Sequence, residues 1–188
     1  MKPMTRTDAR WIHVLWIGLL TAISAGLTAG YTCVVPFAAL GVAAAMTLPR
    51  RQALVCIILV WLANQAAGFG LMSYPWTLNT IGWGAVIGAA ALTGTLAAQW
   101  LLRSLQGWRS SIQTVIVFVV AFSVYQAILY AAAVSMLSGT AAFAPAIVAQ
   151  VLGVNVVTFG GLWGLSQLVT VALSSYRRRV SASPARFA

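Results

Sequence analysis

The chain offers little for acid–base, nucleophilic or metal chemistry: a single acid, Asp8, one histidine, His13, and two separated cysteines, Cys33 and Cys56. General acid–base catalysis by paired carboxylates needs two acids, and a catalytic metal needs several converging His, Cys, Asp or Glu ligands. Neither set can be assembled. No glycine loop closed by Lys and Ser or Thr is present to cradle a nucleotide phosphate. The sequence therefore reads as a non-enzyme, with no catalytic residue, metal or cofactor of its own.

What it does hold is recognition chemistry. Amides, phenols and indoles occur at Asn64, Gln65, Tyr74, Trp76, Asn79, Trp83, Gln126, Tyr130, Gln150 and Asn155. These groups hydrogen-bond and stack without carrying charge, so together they suit a neutral or zwitterionic, partly aromatic solute rather than a bare ion. Cys33 and Met72 add two soft ligand atoms on the same expected face, too few to define a metal site.

The elements that must position these residues follow from composition. With 61% apolar and 6% charged residues, a soluble surface cannot be built, so the solvent is lipid. A hydrocarbon core of roughly 30 Å takes about 20 residues per helix. Dividing the chain at Arg clusters and Gly/Pro/Ser breaks gives spans at 11–30, 33–48, 52–69, 77–102, 112–137 and 145–174. The expected fold is an all-α, polytopic six-transmembrane-helix bundle over 11–176, with a basic N-terminus (1–10) and a basic tail (177–188). The second span, bracketed by Pro36 and Pro49, is short enough to be a partial crossing that its neighbours bury. Residues 1–10 resemble the start of a secretory leader, but the following apolar run is too long, so it is read as a retained first span.

Charge checks the threading. Lys2, Arg6 and Arg10 precede span one, Arg50 and Arg51 follow span two, and Arg103 and Arg109 follow span four. Arg177, Arg178, Arg179 and Arg186 follow span six. The connections at 31–35, 70–76 and 138–144 hold no Lys or Arg. Cationic loops resist translocation, so the basic side is expected to be cytoplasmic, with both termini inside a cell (inner) membrane. The net charge of +10 thus reports topology and not nucleic-acid binding, which needs basic side chains gathered on one accessible face.

Depth then sorts the polar residues. Asn64, Gln65, Asn79, Thr80, Trp83, Gln150 and Asn155 fall in the outer half and Tyr125, Gln126 and Tyr130 in the middle to outer half, while the inner half is Ala, Val, Leu and Gly with Gln only at the interfacial ends. Polar groups in a bilayer are costly unless paired or facing a cavity. An outward-opening pocket is one solution; interhelical hydrogen bonds that only join the bundle, at about 1 kcal/mol each, are the other. Between spans three and four, Gly68 and Gly70 permit turns, Pro75 is placed at the start of the next helix, and Tyr74 and Trp76 either close over a solute or anchor at the interface.

Small residues recur every fourth position in span one, at Gly18, Ala22, Gly26 and Gly30, and span four has a similar row at a spacing of four and then three, at Gly84, Gly88 and Ala91. Such rows let helix backbones approach closely. The first row fits internal packing or docking of a partner helix; the second fits internal packing.

These features together resemble the substrate-binding S-components of energy-coupling factor vitamin transporters: six short helices, termini inside, an outward polar pocket and a small-residue row on the first helix. The resemblance covers nearly the whole chain and is architectural. It implies that Gly18, Ala22, Gly26 and Gly30 dock on a transmembrane coupling subunit with its ATPases, and that the loop bearing Tyr74 and Trp76 borders a site for a vitamin-like micronutrient. The expected function is a membrane-embedded solute-binding and uptake protein, energised by that partner or by trapping of the solute inside the cell. A membrane scaffold that binds partner helices is the alternative.

Overall fold

The computed structural model describes residues 14–22, 26 and 35–182. Residues 1–10 with Asp8, as well as His13, Gly30, Cys33 and the end of the tail, lie outside the described residues. The described chain is all-helical. Residues 14–22 belong to α1, followed by α2 (Phe37–Thr47), α3 (Arg50–Gly70), α4 (Leu78–Ser104), α5 (Ser110–Ala132) and α6 (Pro145–Ala182). A wide π turn, Ala133–Leu137, ends α5, and a 3-10 turn, Thr140–Phe143, leads into α6.

Among the described residues, four helical stretches are long and apolar enough to cross a membrane: Arg50–Gly70, Leu78–Ser104, Ser110–Leu137 and Pro145–Val169. Three side-chain amides tie their ends in antiparallel order. Gln99 Nε2 donates to the Arg50 carbonyl at 3.2 Å and Gln113 Nε2 to the Leu102 carbonyl at 3.0 Å. Both bonds lie at the end that carries Arg50, Arg51, Arg103 and Arg109. At the opposite, arginine-free end, Asn79 Nδ2 donates to the Leu137 carbonyl at 2.7 Å. Phe118 of α5 and Phe159 of α6 stack at 4.9 Å between ring centroids, while α6 packs chiefly on α2.

The centre of the bundle is α2. Its 11 residues cover about 16 Å at 1.5 Å per residue, roughly half the thickness of a hydrocarbon core. A helix that is apolar all round must be surrounded, and Phe37 through Ala44 are all buried, packed against α3, α4, α5 and α6. Lipid is as apolar as these side chains, so close packing supplies the contact energy. Gly41 brings α2 onto α4: a Cβ there would strike the Thr95 hydroxyl. Gly84 and Gly88 of α4 likewise receive Gln65 and Trp61 of α3, with Trp61 Nε1 donating to the Gly84 carbonyl at 2.8 Å. The span-four row is therefore internal packing. Cys56 is buried in the same core, beside Ile57, Val60 and Phe37.

Where α2 begins, Pro36 offers no side-chain cap. The cap comes from another helix: Asn155 of α6, fully buried, accepts the Ala39 N–H on Oδ1 at 3.0 Å and donates Nδ2 to the Val151 carbonyl at 2.9 Å. Asn155 was expected on the pocket wall. The structure instead engages both halves of its amide in backbone bonds.

Two stability outcomes follow. Gly41→Ala is expected to cost about 1–3 kcal/mol through overpacking, and Thr95→Ala in the same chain to restore most of it, because the hydroxyl is the obstructing group. A double-mutant cycle of unfolding in detergent checks this; equal losses with and without the hydroxyl would contradict it. Asn155→Leu should cost about 1–3 kcal/mol by orphaning a buried N–H, with faster amide exchange at residues 37–40, and unchanged exchange there would refute the cap.

Candidate ligand-binding site

The arginine-free end of the bundle contains a cavity of about 400 Å³. Its floor is the start of α2, at Val35 and Phe37. The ends of α3 and α4 supply Asn64, Gln65, Phe69, Thr80, Trp83 and Ile87. Helix α5 supplies Tyr125, Gln126 and Leu129, while Ile147 and Val151 of α6 complete the wall. Tyr74 closes one side of the mouth and the 3-10 turn, through Ala142 and Phe143, the other.

Local sequence explains how each mouth segment is held. After α3, the N–H groups of Leu71 and Met72 both donate to the Ala67 carbonyl, at 2.9 and 3.0 Å, and Tyr74 N–H donates to the Gly68 carbonyl at 3.1 Å. Ser73 takes a positive φ of 54° to make this reversal. The Tyr74 ring then lies on Gly68, where a Cβ would collide with it, and meets Phe69 edge-on at 6.3 Å. Helix α4 starts with Thr77 as N-cap, its Oγ1 accepting the Thr80 N–H at 3.2 Å. Pro75 therefore precedes the cap rather than opening the helix. On the other side, the π turn offers the Leu137 carbonyl to Asn79, and Ser138 and Gly139, at φ 57° and 103°, turn the chain so that Gly139 sits against the Trp83 ring.

Of the sequence-selected residues, the cavity brings together Asn64, Gln65, Tyr74, Trp83 and Gln126. The others lie elsewhere. Trp76 stacks on Phe69 at 4.5 Å but is 76% exposed, as suits an interfacial anchor. Asn79 is engaged with Leu137, Tyr130 packs edge-on against Phe143 with its other face open, Gln150 is exposed, and Asn155 caps α2. Gly18, Ala22 and Gly26 of the first row are exposed, with open space beyond Gly18 and Gly26.

Sequence reading alone did not single out Phe37, Ile87, Phe143, Ile147 and Val151 as lining residues. In a chain so rich in apolar residues, those that face a cavity look no different from those that face lipid. The short α2 between Pro36 and Pro49 was the available signal for the floor.

The hydrogen-bond inventory separates joining amides from open ones. Gln65 Nε2 donates to Asn64 Oδ1 at 3.2 Å. Trp83 Nε1, the Tyr125 hydroxyl and the Gln126 amide make no hydrogen bond among the described residues, although all three line the cavity. Tyr125 is 5% exposed. The site thus presents donors and acceptors on an aromatic wall, with no ionised side chain among its described lining residues. A second hollow between α3 and α4, of about 410 Å³, is walled by Ile57, Ile58, Trp61, Gly88 and Leu92, and suits an acyl chain of the surrounding lipid.

No family model, curated protein or solved structure matches this chain. Its function is therefore argued from the site.

Asn79→Ala is expected to raise amide exchange across residues 133–144 about fivefold, since one hydrogen bond contributes about 1 kcal/mol. Hydrogen–deuterium exchange by mass spectrometry checks this; a response spread evenly over α4 and α5 would contradict a local tie.

Proposed function

We propose that the chain is a membrane-embedded binding subunit for the uptake of a small, neutral or zwitterionic, partly aromatic micronutrient. The observation that carries this reading is the set of three polar side chains, Trp83, Tyr125 and Gln126, that line one cavity without a hydrogen-bond partner among the described residues. Inside a membrane protein an unpartnered polar group costs free energy unless water or a ligand reaches it. Interhelical joining does not account for this set among the described residues, where these three side chains make no hydrogen bond, whereas Asn79 and Asn155 do.

In the proposed arrangement six segments enter a cell membrane, α2 only part-way, with the arginine end and both termini in the cytoplasm and the cavity opening outside. The gathering of Arg50, Arg51, Arg103 and Arg109 at one end supports that orientation. With Asp8 as its sole acidic side chain, the chain has no buried carboxylate relay to couple transport to protons. Energy then comes from a partner with ATPases, or from trapping of the solute after entry. The exposed row Gly18, Ala22 and Gly26 suits docking of such a partner, as do Gly153, Gly160 and Gly161 on α6, which also face open space.

Those open faces also support a second reading, a scaffold for partner helices with no solute. The two differ in what the purified protein carries. Extraction of the full chain from mild detergent, followed by mass spectrometry, is expected to yield a small molecule in near-stoichiometric amount. Gln126→Leu and Trp83→Phe should each reduce it about tenfold without lowering the unfolding temperature. Wild-type protein that yields none, and binds none from a panel of vitamins, would leave only the scaffold.

A further inference from the structure

The floor of the cavity has an electrical sign. A helix N-terminus carries roughly half a positive charge, felt most where water is scarce. Helix α2 starts at the floor, with Val35 and Phe37 lining it, and neither an acidic residue in the first turn nor a side-chain cap from Pro36 offsets the dipole. The Val35 carbonyl takes the Phe37 N–H and the Asn155 amide takes the Ala39 N–H; both acceptors are neutral and leave the sign unchanged.

An independent observation lies beside it. Tyr125, 5% exposed, lines the same cavity, and its ring stands 6.4 Å from that of Phe37, the first residue of α2. Its hydroxyl has no partner among the described residues. A phenol so placed is available to an oxygen or nitrogen atom of something that enters the cavity. Trp83 adds an indole N–H, which can only donate. Resting on the reading of this cavity as a ligand site, we propose that the solute carries a carboxylate or carbonyl group, and that this acceptor end seats at the N-terminus of α2 against the Tyr125 hydroxyl, with the aromatic part of the solute toward Trp83. No Lys or Arg is among the described lining residues, so the helix end takes the place that a cationic side chain would otherwise fill.

The test uses the full chain in detergent and three probes that differ only at one substituent: quinoline-3-carboxylate, quinoline-3-carboxamide and quinoline. Calorimetric titration is expected to show the acid and the amide binding at least tenfold more tightly than quinoline, and their order tells a carboxylate seat from a carbonyl seat. Tyr125→Phe, which keeps the ring contact with Phe37, should erase most of that preference. Should Tyr125→Phe fold poorly, Trp83→Phe provides the second comparison and should narrow the preference less. Three probes that bind equally, or a preference untouched by Tyr125→Phe, overturn the seat and leave the cavity as a ligand site. Failure of all three to bind removes the seat and the reading beneath it together.

Discussion

A peptide N–H left without an acceptor away from water costs roughly 2–7 kcal/mol, and α2 begins among buried residues, Phe37, Ala38 and Ala39, where that penalty applies. A helix that begins at a wet surface avoids it, because water takes the exposed groups. Helix α2 is capped from inside the bundle instead. Pro36 has no side-chain acceptor to offer, so the cap comes from Asn155, more than a hundred residues away. This one bond fixes how α6 is rotated, because Asn155 must face inward. With Asn155 inward, Val151, one turn earlier, lies on the cavity wall.

The shortness of α2 also makes room for the cavity. A helix of membrane length in its place would fill the centre of the bundle with side chains. Here the central column of packed Ala, Val and Leu ends at Phe37, and the cavity stands on it. Glycines at the neighbouring contacts serve the opposite purpose. Gly41 lets α2 lie against Thr95, and Gly84 and Gly88 accept Gln65 and Trp61, so that the bundle closes tightly below and beside the opening. Packing and cavity are thus set by the same few backbone approaches.

Element boundaries were readable in the sequence because apolar runs and their punctuation have direct physical causes. The expected spans 52–69, 77–102 and 112–137 fall on α3, α4 and α5 with its π turn, and the short segment between Pro36 and Pro49 is the half-length α2. Membrane-length helices are shown for four segments among the described residues. The gathering of Asn64, Gln65, Tyr74, Trp83 and Gln126 at one end was readable from depth, which needs only a count along each helix. Rotation was not. Whether an amide at a given depth faces a cavity, a carbonyl or lipid depends on angles set by packing, so Asn155 and Gln126 looked alike as text. The tie between Asn79 and Leu137 was hidden for a further reason: it depends on a π turn, and the sequence Ala-Val-Ser-Met-Leu carries no signal for one.

That distinction between engaged and open amides is where structure meets function. Hydrogen bonds that join a bundle hold both partners in fixed places, and the energy is already realised when the protein folds. Under the proposed reading, a group such as the Tyr125 hydroxyl, which makes no bond among the described residues, keeps its bonding capacity for a solute, so folding energy withheld at that point becomes binding energy later. A chain with a single acidic side chain has few other means of responding to a solute. Under the proposed reading, occupancy of the cavity would be sensed through the groups that line it: the start of α2, Tyr74 on Gly68, and the turn at Gly139 against Trp83. Two of these are loops held by few bonds, and the third is the end of the most buried helix in the protein. A ligand bridging them would tie the loops at the margin of the site to the buried start of α2, so that occupancy bears on the helix against which α3, α4, α5 and α6 all pack.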